Sequence, residues 1–337
     1  MHHSFLIRLA ATIAIASPLC VTSVVQAQTT YRLTQVGPND QTAQSGVHAM
    51  DNEGNLLLEI IDNANFSPST YLWRSGTQFN IDDRTPPSEF VEGMDMTDLT
   101  QIVGTTLSTT SGTFVGFVWS LGHLVELPSP AGSMAAFATH MNVLGDVLGV
   151  IYDEAGNPHQ ALWSHGKATF LPESLGQPVG INIRGEIFGS VLDAENVPDV
   201  VLWRHGVVSV VIKNASAAKI TDAEQILGSL GSPGRPFLWQ NGVITILPPV
   251  PGGSVEGTAV DINHWGQIVG GVSGVPVLWQ HGTATDLNSQ ITPTDPLRPY
   301  VHLDSAYLIN DLGEIVAIGT DSRNTDFRQT YLLTPGN

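Results

Sequence analysis

Short apolar runs alternate with polar punctuation along almost the whole chain, and the runs are of strand length. From residue 28 onward no helical period lasts long enough to build an amphipathic helix. Two patterns recur at a spacing typical of repeat proteins. The first is an apolar pair, then Trp, two residues, then Gly. It reads Tyr71-Leu72-Trp73 with Gly76, Phe117-Val118-Trp119 with Gly122, Ala161-Leu162-Trp163 with Gly166, and Val201-Leu202-Trp203 with Gly206. It continues as Phe237-Leu238-Trp239 with Gly242, Val277-Leu278-Trp279 with Gly282, and a degenerate Tyr331-Leu332-Leu333 with Gly336. Successive tryptophans of this series lie 36 to 46 residues apart.

The second pattern lies upstream of each copy and reads Ile-Asn-x-x-Gly, a polar residue, two apolar residues, then Gly. Residues 181–189 and 262–270 carry it most cleanly, and 309–317 and 141–149 are close. Residues 220–228 and 96–104 keep the apolar positions but place Glu224 and Thr100 where the turn Gly belongs; 50–58 completes the set. Each repeat then holds four strand-like runs, in the sixth 258–262, 267–272, 276–280 and 283–287. Asn-x-x-Gly and Trp-x-x-Gly both suit tight hairpins, because Asn bonds forward to the backbone and Gly accepts positive φ. The last repeat has only three such runs, and Tyr31–Val36 precedes the first as a spare strand. These features predict an all-β, seven-bladed β-propeller of four-stranded blades, closed by strand 31–36 in the last blade, which leaves no open edge.

The two motifs together resemble the HAF repeat of extracellular bacterial proteins. The resemblance spans nearly all of the chain after the leader. The name-giving His-Ala-Phe is replaced here by, for example, His159-Gln160-Ala161-Leu162-Trp163. The resemblance implies the repeat fold and an extracellular location, and it implies no particular activity.

Residues 1–27 read as a signal peptide: Arg8 supplies the positive end, an apolar stretch follows, and Val25-Gln26-Ala27 offers small residues for cleavage. Residues 28–337 are then a single propeller domain, secreted or periplasmic, with no membrane insertion once the leader is gone. Cys20 is the only cysteine and leaves with the leader, so stability must come from a core and not from disulfides. The formal net charge is −18. Nucleic acid is not an expected partner, since phosphate binding needs a basic face; a carbohydrate or an extracellular protein is.

Two groups of residues carry candidate chemistry. The residue before the Ile or Met that ends each first strand is Ala49, Asp95, His140, Gly180, Lys219, Asp261 or Leu308. Asp95, His140, Lys219 and Asp261 put ionisable groups near the mouth of the central channel, as a base, an acid and a charge clamp if they converge. They would otherwise pair with neighbouring blades or face solvent. The face opposite the tight turns carries the variable connections, among them 59–70, 82–92, 105–116, 153–160 and 289–304. The last holds Arg298, Tyr300, His302 and Asp304, a set suited to an anionic or sugar-like ligand, or to a rigid connector punctuated by Pro293, Pro296 and Pro299.

The repeated tryptophans read as core between blades, with Trp265 alone outside the series and placed for exposure. His165, His205 and His281 hold equivalent positions in separate repeats, too far apart to share a zinc ion. No metal site and no cofactor is expected. There is no Gly-x-Ser-x-Gly elbow and no phosphate-binding loop before a helix. The leading expectation is a binding propeller working through its loop-rich face. The alternative is a carbohydrate-active enzyme, a polysaccharide lyase or glycoside hydrolase, with its site at the channel mouth.

Overall fold

The computed structural model describes residues 29–336 apart from 39, 41, 65, 67, 83–87 and 89. Residues 1–28, on which the signal-peptide expectation with Arg8 and Cys20 falls, and much of the 82–92 connection lie outside the described residues. Among these residues helix is confined to two single 3-10 turns, Glu173–Leu175 and Leu287–Gln290, and no helix is long and apolar enough to cross a membrane.

The strands follow the predicted repeat. β1 (Tyr31–Val36) comes first. The next four are β2 (Ala43–Met50), β3 (Leu56–Asp62), β4 (Pro68–Arg74) and β5 (Thr77–Asn80), followed by β6 (Val91–Met96), β7 (Ile102–Leu107), β8 (Phe114–Ser120) and β9 (His123–Glu126). Then come β10 (Ala135–Met141), β11 (Val147–Tyr152), β12 (Pro158–Ser164) and β13 (Lys167–Phe170), and β14 (Gln177–Ile181), β15 (Ile187–Leu192), β16 (Pro198–Arg204) and β17 (Val207–Ile212). β18 (Ala215–Ile220), β19 (Ile226–Leu230), β20 (Arg235–Gln240) and β21 (Val243–Ile246) precede β22 (Gly257–Ile262), β23 (Ile268–Val272), β24 (Val275–Gln280) and β25 (Thr283–Asp286). The chain ends with β26 (Val301–Ile309), β27 (Ile315–Asp321) and β28 (Asn324–Pro335).

Each set of four forms one antiparallel sheet in chain order, and the final sheet runs β1-β28-β27-β26. The sets β2–β5 and β6–β9 are counted as one eight-stranded sheet, joined only by a parallel bridge between Ser69 and Val91. β1 pairs with β28 along its whole length, from Tyr31 opposite Pro335 to Val36 opposite Thr330, as the three-stranded last repeat requires. In an antiparallel unit the first and third connections lie at one end and the second and the exit at the other. We call these ends the turn face and the loop face.

The two motifs are hairpin chemistry. Arg74 pairs with Thr77, Ser164 with Lys167 and Gln280 with Thr283, leaving two-residue loops in which both residues have positive φ, as at His165 and Gly166. That is the type I′ turn that matches strand twist. It also explains the three equivalent histidines, since His tolerates the left-handed region better than most side chains. The tryptophans on the preceding strand pack between units. Trp163 sits in one cluster with Val103 of the unit before it, and Trp279 with Leu227. Their indoles donate to the Pro128 and Pro248 carbonyls at 2.8 and 2.7 Å. Val36, Val316 and Leu332 share a cluster with Val47 and Trp73, so the last unit packs on the first as the others pack on their neighbours.

The second motif's final Gly answers a steric demand. Near the end of every first strand the register slips by one residue, for example between Ala259 and Asp261. In five units a first-strand carbonyl also stands close against the motif's final Gly, whereas Leu58 and Ala317 hold that position in the first and last units. A Cβ on Gly270 would stand 2.1 Å from the Thr258 carbonyl oxygen, and one on Gly149 2.0 Å from that of Phe137. Gly270→Ala is expected to lower unfolding stability by about 2 kcal/mol, the scale of overpacking against unyielding backbone. Gly46→Ala, with nothing within 4 Å of the added methyl, should leave the urea midpoint nearly unchanged. Equal midpoints for the two variants would contradict the account.

Candidate functional site

The turn face is where the units are tied together. The Asn142, Asn182, Asn263 and Asn310 side chains lie buried. Each Oδ1 accepts two amides of its own turn at 2.9–3.1 Å. Three of them also reach the next unit. Asn142 Nδ2 donates to the Asn182 carbonyl at 3.0 Å, Asn263 to the Asn310 carbonyl at 3.0 Å, and Asn310 to the Asp51 carbonyl at 3.3 Å. Where the motif departs from Asn-x-x-Gly, other links replace this one. Thr100 holds a left-handed φ of 55° and donates to Asp51 Oδ2 at 2.8 Å. Glu224, at the same φ, pairs with Arg184 at 3.2 Å and with Arg204 of the preceding unit. The strain of a side chain in that region is therefore offset by a bond between units.

The bulge aims the column residues inward. Ala49, Asp95, His140, Gly180, Lys219, Asp261 and Leu308 all line one cavity of about 440 Å³ that opens on the turn face. Asp95, His140, Lys219 and Asp261 thus lie around one cavity, and Asp95, Lys219 and Asp261 also make the bonds between neighbouring units that were the other reading of the column. Two carboxylates are heavily engaged. Asp261 accepts the Ile262 amide on Oδ1 and the Ile309 amide of the next unit on Oδ2, both at 2.9 Å, and pairs with Lys219 Nζ at 2.5 Å. Asp95 accepts Met96 N at 2.9 Å and, across the unit boundary, Met141 N at 3.2 Å. Burial holds the Asp95 carboxyl above its ordinary value, against the opposing pull of His140, the two amides and Lys219. Burial works against the Lys219 ammonium as well, but Asp261, with Asp95 and Asp98, outweighs it and raises its pKa.

The mouth adds groups that the column did not include. The second turn positions contribute Asp98, Asp222, His264 and Asp311, so five aspartates, one lysine and two histidines line the cavity. Asp311 holds its neighbour by accepting the His264 amide at 2.9 Å and facing His264 Nδ1 at 2.8 Å. The third turn positions present Leu99, Leu144, Trp265 and Leu312 to solvent. Trp265 is 74% exposed, and its indole N–H is fixed on the Asp311 carbonyl at 2.9 Å. The exposure expected for Trp265 holds; its chain neighbours His264 and Gly266 line the cavity, while Trp265 itself is not among the lining residues.

Arg298, Tyr300, His302 and Asp304 do not line it. Arg323 lies 4.4 Å over the Tyr300 ring, and Asp304 pairs with Arg328 at 2.8 Å. The connection before them is tied to β1, since Asp295 accepts the Leu33 amide at 2.8 Å and Thr292 N donates to the Tyr31 carbonyl at 2.8 Å. Arg298 and His302 are exposed on this loop-face segment.

No family model matches the chain, and no curated protein matches it in sequence. Solved structures do. The β-propeller domain of the Trilobed protease from Pyrococcus furiosus aligns with a TM-score of 0.51 at 11% identity, covering 91% of this chain and 97% of that one. The extracellular domain of a putative hybrid two-component system from B. thetaiotaomicron aligns with a TM-score of 0.51 at 9% identity, covering 91% of this chain but only 40% of that one. At these identities the likeness concerns fold alone, and it defines the class: this is a β-propeller. The Pyrococcus propeller is described as having an open velcro topology, whereas here β1 is paired with β28.

Burial lifts the Asp98 carboxyl above its ordinary value; Lys219 and His264 pull it back, and Asp311 and Asp51 add to it. A carboxyl whose folded pKa is raised costs stability once it ionises. Asp98→Asn should therefore raise the urea midpoint slightly at pH 7. The gain should fade as pH falls through the folded value and past the ordinary 3.8. A lower midpoint for the variant at pH 7 would refute this reading of the mouth.

Proposed function

We propose that the units form a ring of seven blades, closed where β1 completes the sheet of β26, β27 and β28, and that the ring is an exported binding protein. The leader-like residues 1–27 and the likeness to HAF repeats support export. The packing of Val316 and Leu332 on Val47 and Trp73 supports closure, as do the bonds from Asn310 and Asp311 to Asp51 and Asn52. The ligand enters the channel mouth on the turn face. It is a small polar molecule bearing a positive charge, for which a protonated amino sugar is the natural probe. One observation carries this reading: five aspartates and a single lysine line one cavity, and the exposed Trp265 stands between two of its lining residues, His264 and Gly266. The acidic lining attracts a cation, and an indole face suits both a sugar ring and a positive group.

The enzyme alternative asks for a carboxyl free to exchange protons with substrate. Both oxygens of Asp95 and of Asp261 already accept backbone amides, which favours binding over catalysis at those two residues.

The test is calorimetric titration with a glucosamine tetramer, its N-acetylated counterpart and a uronic-acid tetramer. The charged amine should bind at least about tenfold more tightly than the acetylated form, a difference of about 1.4 kcal/mol, and should weaken with salt. Asp98→Asn and Trp265→Ala should each reduce that affinity. Equal affinity for the acetylated tetramer, or preference for the uronate, would overturn the proposal.

A further inference from the structure

A second cavity, of about 340 Å³, lies at the loop face between the second and third blades, remote from the turn-face mouth along the strands. Its wall is the β7–β8 connection, the end of β9 and the entry to β10. The chemistry there differs from that of sister blades. Asp153 and Asp193 open the equivalent loops of the third and fourth blades, each accepting amides two and four residues on. In the second blade Ser108 takes that place and accepts the Thr110 and Ser111 amides at 3.3 Å. The sequence 108–113 reads Ser-Thr-Thr-Ser-Gly-Thr, without a charge, in a chain of formal charge −18. Ser111 and Thr113 bond to each other at 2.8 Å, and Ser108 Oγ donates to Glu126 Oε2 at 2.9 Å.

The aromatic part is equally local. Phe114 begins β8, where the first, third and fourth blades have Pro68, Pro158 and Pro198. Its ring stacks on Phe137 with centroids 5.8 Å apart and meets Phe90 edge-on at 5.2 Å, and Phe137 in turn meets Tyr152. Phe114 remains 36% exposed and lines the cavity. Its neighbours fix the ring, so the part that remains exposed offers apolar surface at little cost in rotamer freedom.

We infer that this cleft is a second binding site and that it takes a neutral saccharide. Hydroxyls both donate and accept, which matches a ligand made of hydroxyls. The Phe114 face matches the apolar C–H face of a pyranose. Among the described residues the lining holds no lysine, arginine or histidine to attract an anion, and the hydroxyl wall disfavours an apolar ligand. The size is at the small end of ligand sites, about 300–1,000 Å³, which suits one or two sugar units. The inference stands apart from the channel-mouth proposal and uses none of its residues.

The test is saturation-transfer NMR and calorimetry on the full chain with cellotetraose, maltotetraose and xylotetraose as probes. At least one should bind the wild-type protein with its ring protons receiving saturation. Phe114→Ala should weaken that binding at least tenfold, and Phe114→Trp should retain it. Thr113→Val, an exposed change that leaves the aromatic stack in place, should weaken it severalfold, and Asp98→Asn at the channel mouth should leave it unchanged. The inference fails if none of the three probes binds at millimolar concentration. It fails equally if Phe114→Ala or Thr113→Val binds as the wild type does, or if Asp98→Asn abolishes the signal.

Discussion

Three of the four buried turn asparagines bond both within their own turn and to the neighbouring unit, and much else follows from that double duty. In each, the oxygen closes its own hairpin, and the amide nitrogen reaches the backbone of the neighbouring unit. The same nitrogen also donates within its own turn, as Asn142 Nδ2 does to Asp146 Oδ2 at 3.1 Å, and its second hydrogen reaches across. That second bond holds the units close at the turn face and in one orientation. Hydrophobic packing of tryptophans against the preceding sheet supplies most of the attraction between units, but it is not directional. The asparagine bonds, with the carboxylate–amide bonds of Asp95 and Asp261, add the direction.

The cavity is a by-product of the same constraint. Units held together at the turns by short links converge there, and the bulge before each turn points one side chain per unit into the shared space. Large apolar side chains on that column would fill it. Asp95, His140, Lys219 and Asp261 do not, and the carboxylates among them also serve as links between sheets. Structure and recognition therefore draw on the same atoms. Under the proposed function, Asp98 and Trp265 are the positions that probe binding apart from the carboxylate–amide links of Asp95 and Asp261.

The repeat was legible because its turns need particular residues. Asn-x-x-Gly and Trp-x-x-Gly located the hairpins, and the sixth-repeat strands fall within one residue of their predicted ends. The column of inward residues was legible as well, since it holds a constant offset from the turn. The bulge was not legible: five units place a crowded Gly opposite it, but the first and last units carry the same slip with Leu58 and Ala317 there. The exposed apolar set of Leu99, Leu144, Trp265 and Leu312 occupies one turn position in four repeats and could have been found by aligning that position. The Phe90, Phe114, Phe137 and Tyr152 cluster spans two units, so no local pattern announces it; the one clue was Phe114 standing where sister repeats have proline. Thr100 and Glu224 looked like lapses in the motif and proved to be links between units.

Closure of the ring is the claim on which the channel-mouth site rests, because an open array would not hold the column around one space. Equilibrium urea unfolding of the chain lacking residues 31–36, followed by tryptophan fluorescence, tests it most directly. The account predicts a transition at much lower urea with a shallower slope, since removing β1 leaves β28 without its partner and unlocks the last blade from the first. A transition with the midpoint and slope of the intact chain would contradict it.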